Sequence, residues 1–175
     1  MSIRRVVTGT VDGRSVIVSD GPVPRRHDYR HVPGFSSALV WATSPGGSAT
    51  VSVDPVSPQT SYVPGAGGTT LAIVTFPPDT VFASDAFDPS AAFAEQQAHL
   101  TGLVDHFDPE RPGMHATPTV DYGIVLDGTI SLELDDGAMV ELAQHSVVIQ
   151  RGTVHAWRNT GSKPATLAFV LISAE

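Results

Sequence analysis

Cysteine is absent from the 175 residues, which excludes disulfides, thiolate metal sites and cysteine nucleophiles. Long apolar runs are missing as well. The longest, residues 167–172, has six residues, against roughly 20 for a membrane span. The basic start Met1-Ser2-Ile3-Arg4-Arg5 is followed by no apolar stretch of signal-peptide length. Charge is sparse at 16%, and the acids outnumber the bases to give a net charge of −8. A surface of that sign repels nucleic-acid phosphates and anionic lipid, so neither is an expected partner. The 41% hydrophobic content suffices for one core, and the expectation is a single cytoplasmic domain over 1–175.

What is plentiful is turn chemistry. Gly (16) and Pro (14) favour many short strands over long helices. Residues 6–11 and 15–19 flank Asp12-Gly13, a dipeptide suited to a tight hairpin turn. Strands are predicted at 37–43 and 69–76, with a loop over 25–34 and a short strand at 49–53. One helix is predicted over about 89–100, with Asp88 as N-cap and Pro89 as its first residue. Phe93, Gln97 and Leu100 would share one of its faces. Beyond it, strands at 122–126, 129–134, 138–142, 146–150, 155–159 and 166–172 are spaced as in a sandwich, barrel or jelly roll. In 129–134 the apolar Ile130, Leu132 and Leu134 alternate with polar residues, the pattern of a half-buried antiparallel strand. Charge is uneven: residues 1–30 carry six Arg, whereas 79–141 carry thirteen acids. The basic arm either packs on an acidic surface or is simply solvated.

His115, Thr117, Thr119 and Asp121 fall at alternate positions of one extended segment and so share a face. On the solvent side they need no explanation; in a lumen they must be paired or bound to something. Further on, His155 and Trp157 share a face of another strand. Two imidazoles and a carboxylate brought together suit an open site for Fe(II) or Zn²⁺.

The run from Gly113 through His115 and Asp121 to Gly128 resembles the first motif of the cupin superfamily. The run Gln150-Arg151-Gly152-Thr153-Val154-His155-Ala156-Trp157-Arg158-Asn159 resembles its second, with Gly152, His155 and Asn159 matching and Gln150 in place of a proline. Thr117 stands where the family has a second histidine, and Asp121 where it has glutamate. The resemblance covers residues 113–172. It implies an all-β double-stranded β-helix, or jelly-roll barrel, with one external helix. Residues 1–112 would hold N-terminal strands, loops and that helix, and 113–173 the motif core.

It further implies a divalent metal (Fe, Zn or Mn) on His115, Asp121 and His155, which would also be the catalytic residues, and a homodimer. Thr117, Thr119 and Trp157 would line the substrate pocket. The expected function is a small-molecule enzyme acting on an apolar organic substrate, a dioxygenase or a hydratase, lyase or isomerase. Two alternatives stay open. One is metal-free acid–base chemistry, in which a buried His and Asp shift each other's pKa toward neutrality. The other is a non-catalytic small-molecule binding protein.

Overall fold

The computed structural model describes residues 2–46 and 53–174. Of the strand expected at 49–53, residues 49–52 lie outside the described residues and Val53 is in a bend. Strand β1 (Arg4–Val11) and strand β2 (Arg14–Pro22) form an antiparallel ribbon. They are joined by Asp12 at φ 49° and Gly13 at φ 76°, the left-handed pair that this two-residue turn requires. Arg4 bonds Asp20 across the ribbon and Arg5 bonds Asp54. These two arginines of the basic arm thus find their acids nearby rather than in the acidic stretch 79–141.

Strand β3 (Arg25–Asp28) lies where a loop was predicted. Its sequence has no apolar alternation to betray it; pairing with the edge of β4 (Ser36–Thr43) extends it. The remaining elements follow the predicted order. They are β5 (Thr69–Phe76), helix α1 (Pro89–His99), β6 (Thr119–Asp127), β7 (Thr129–Glu133), β8 (Met139–Ala143), β9 (Val147–Arg151), β10 (Ala156–Arg158) and β11 (Ala165–Ser173). A six-stranded sheet in the order β3-β4-β5-β11-β6-β9 accompanies a three-stranded sheet in the order β10-β7-β8. The fold is all-β, of the double-stranded β-helix type, with one external helix.

Period two decides what each strand buries. Val125 of β6, Ile130 and Leu132 of β7, Leu142 of β8 and Leu167 of β11 meet as one cluster between the two sheets. Leu39 and Ala72 turn to one face of β4 and β5 and pack under α1 with Ala92 and Leu100. Their neighbours Ala38, Val40, Leu71 and Ile73 turn to the other face and pack against Val23. A fully buried Leu or Ile gains roughly 2–3 kcal/mol relative to exposure, so these alternations fix the register.

Helix α1 begins as its sequence dictates: the Asp88 carboxylate accepts the amides of Ser90 and Ala91 at 2.9 and 3.0 Å. The residues expected to share one face are not buried together. Ala92 and Leu100 are buried, while Phe93 is 48% exposed. Ala92 lets the backbone approach the sheet, and that contact rotates the bulkier Phe93 outward.

The turn after β6 depends on Gly128, at φ +79°. A Cβ there would sit 2.8 Å from the carbonyl oxygen of Pro164, so no other residue fits without moving the β10–β11 connection.

Candidate functional site

Three of the four alternating polar residues are buried. Thr117, Thr119 and Asp121 are 5%, 1% and 8% exposed, so their shared face is the interior one. The regular strand starts only at Thr119. His115 lies upstream, in isolated bridges to Phe107 and His155. The amide of each histidine donates to the other's carbonyl at 2.9 Å, which clamps two remote segments together. The imidazole centroids are consequently 4.3 Å apart, tilted by 47°.

Hydrogen bonding fixes the tautomers. His115 Nδ1 is 3.0 Å from the Gly113 carbonyl oxygen and His155 Nδ1 is 2.9 Å from that of Thr153. A carbonyl only accepts, so each Nδ1 carries the proton and each Nε2 keeps its lone pair. Burial pushes the His115 pKa down to about 4, helped by the adjacent His155 and opposed by the Gly113 carbonyl. Burial lowers His155 too, against the pull of the Thr153 carbonyl. For Asp121 burial acts the other way and raises the pKa, with the hydroxyls of Thr119 and Thr117 opposing. Burial moves all three groups toward their uncharged forms. The mutual His–Asp attraction expected from sequence is not among the causes.

These groups border a cavity of about 870 Å³. Its polar end is formed by His115, Thr117, Asp121, Gln150 and His155. Trp157 lines it, edge-on to His155 with centroids 5.8 Å apart. Thr119 does not line it; that side chain is almost fully buried, with its hydroxyl 2.7 Å from the Thr117 hydroxyl. The N-terminal part also contributes to its wall, through Phe35, Tyr62, Phe76, Ala92 and Leu100.

Sequence reasoning missed that wall, because scattered aromatic and aliphatic residues form no motif. It also gave Gln150 no role, although the replacement of the motif proline was a usable signal. Tyr122, next to Asp121, points outward and is 41% exposed, as strand parity demands.

The metal implied by the resemblance is not matched by the donor set. Among the described residues no group of three or more His, Cys, Asp or Glu is placed to hold an ion. The two imidazoles meet, but Asp121 does not complete a three-ligand centre with them, and its carboxyl is flanked by threonine hydroxyls. Thr117 adds a hydroxyl, a weak ligand, where a third imidazole would be needed.

Comparison with known proteins bears on residues 104–172, which match the family model described as a cupin domain. "Phomopsin biosynthesis cluster protein C'" of Diaporthe leptostromiformis is 44% identical over 70 residues, covering 37% of each chain. The "Cupin-domain-containing oxidoreductase srdD" of Neurospora crassa is 29% identical over 86 residues, 47% of this chain and 44% of its own. The chain therefore spans well under two thirds of the length of these curated relatives. Among solved structures, a "Cupin 2 conserved barrel domain protein" from Salinispora arenicola aligns with a TM-score of 0.41 at 13% identity, over 80% of this chain and 76% of that one.

Proposed function

We propose that the chain, whose residues 104–172 match a cupin domain, is an enzyme performing acid–base chemistry on an apolar organic substrate in the cavity. One observation carries this reading. Two imidazoles, each with its Nδ1 proton held by a backbone carbonyl, lie at the polar end of a largely apolar chamber. Cupins commonly bind divalent metals, but here the donor set stops at two imidazoles, so no step is assigned to an ion.

The chemistry that follows is proton abstraction from a carbon next to a carbonyl. The C–H electron pair moves into the enolate while the proton passes to Nε2 of one imidazole. Return of the proton at the same or another atom, from that imidazole or from Asp121, gives epimerisation, isomerisation or, with departure of a β-hydroxyl as water, dehydration. At neutral pH both imidazoles are already neutral and can accept the proton at Nε2, although burial, which holds His115 down to about 4, makes it a weaker base. Trp157 and Phe76 supply apolar walls that exclude water.

The printed names of several relatives as cupin-domain-containing oxidoreductases favour a second reading, in which the same substrate class is oxidised and O₂ takes up the electrons.

A cavity-sized ketone separates the readings. In D₂O at pH 7 the methyl protons of 2-acetonaphthone are expected to exchange in the presence of the protein. The rate should fall about 100-fold in the His115→Gln/His155→Gln double variant, as followed by proton NMR. Binding without exchange would identify a binding module and overturn the catalytic proposal. Conversion to an oxidised product would establish the second reading.

A further inference from the structure

Among the described residues, two buried polar atoms of cavity-lining residues have no hydrogen-bond partner: Asp121 Oδ1 and Gln150 Nε2. Their residues are cross-strand partners in the β6–β9 register. Both line the cavity, and they are only 8% and 6% exposed. An unpaired buried donor or acceptor carries a desolvation cost that a fold does not retain without use. Here one donor and one acceptor remain on paired residues that both border the chamber. Gln150 also stands where the matching motif has a proline, which has no side-chain donor, so this feature belongs to this chain rather than to the motif.

From this pairing we propose that Gln150 and Asp121 form a recognition element for a substrate head that presents a carbonyl oxygen beside an N–H or O–H on one edge, as in a carboxamide, a lactam or an enolised ketone. The Gln150 Nε2–H donates to the carbonyl oxygen, and Asp121 Oδ1 accepts from the neighbouring donor. The apolar remainder lies against Trp157 and Phe169. This inference rests on the proposed acid–base function, which it deepens by naming the substrate class. A carbonyl held by Gln150 is also polarised, which acidifies the adjoining C–H for the two imidazoles. Gln150 is thus a binding residue and a specificity determinant, distinct from the groups that move the proton.

Affinity tests the element without requiring turnover. The probes are naphthalene, 2-acetonaphthone and 2-naphthamide, which share a ring system and add first the carbonyl and then the N–H. Equilibrium dialysis of the wild-type chain is expected to give successive gains of about tenfold in affinity along that series. In Gln150→Met, of similar length but without the donor, both carbonyl probes should weaken about tenfold while naphthalene is unchanged. Equal affinity for all three probes in the wild type overturns the proposal. So does an equal loss for naphthalene in Gln150→Met, which would reveal a merely structural residue. Failure of naphthalene itself to bind would instead refute the cavity reading, and this inference with it. The wild-type series needs no variant, so a misfolded Gln150→Met leaves the test intact.

Discussion

Asn159→Ala is expected to lower the free energy of unfolding by about 4 kcal/mol. The side chain is 1% exposed. Its Nδ2 donates to the carbonyls of Phe76 at 3.0 Å and Lys163 at 2.8 Å, and its Oδ1 accepts the amide of Gly161 at 3.1 Å. One residue therefore joins the end of β5 to the β10–β11 turn. Alanine would leave two carbonyls and one amide without these partners, at roughly 1–3 kcal/mol for each group that stays buried. Asn159→Asp keeps the acceptor and loses both donations, so it should recover only part of the loss. Urea unfolding with an unchanged m-value measures both. A loss below about 1 kcal/mol for Asn159→Ala would show that these bonds do not hold the two segments together.

Acidification should destabilise the fold well before the carboxylates of its surface ion pairs titrate. In the unfolded chain His115 takes up its proton near 6.5, whereas in the fold it does so only near 4. Between these values the unfolded state binds more protons, so stability falls as pH falls through that window and levels off below it. A shift of that size corresponds to about 3 kcal/mol, and His155, also lowered by burial, acts in the same direction. Asp121 acts oppositely: its raised folded pKa means that the fold gains stability as pH falls through that value toward the ordinary 3.8, which offsets part of the histidine effect. Glu95, held down at about 2 by the amides of Arg30 and His31 and by His27 in spite of burial, contributes its loss below its ordinary value of 4.5. The unfolding free energy should therefore drop by about 3 kcal/mol between pH 7 and 4, with most of that slope removed in the His115→Gln/His155→Gln variant. A flat profile from pH 7 to 5 would contradict the burial of these rings in neutral form.

Legibility in the sequence followed the range of the interaction. Asp12-Gly13 and Asp88-Pro89 encode their turn and cap locally, and both appear where expected. The alternation of Ile130 and Leu132 places them inward. Strand β3 escaped because its residues Arg25-Arg26-His27-Asp28 carry no pattern of their own; the edge of β4 makes them a strand.

The candidate site shows the same limit. Parity puts Thr117, Thr119 and Asp121 on one face, and they are buried together. Parity sets no distance across the barrel, so it could bring Asp121 to the correct face without bringing it into a common group with the two histidines. Nor could it reveal that Tyr62, Phe76 and Leu100, far apart in the chain, line the same chamber.

Ring-nitrogen NMR of uniformly ¹⁵N-labelled protein offers the most direct view of the two imidazoles. At pH 7 the account predicts that His115 and His155 are both neutral with the proton on Nδ1, that both titrate below 6.5, and that one equivalent of Zn²⁺ leaves their signals in place. Imidazolium forms at pH 7, protons on Nε2, or a stoichiometric Zn²⁺-induced shift of both rings would contradict it.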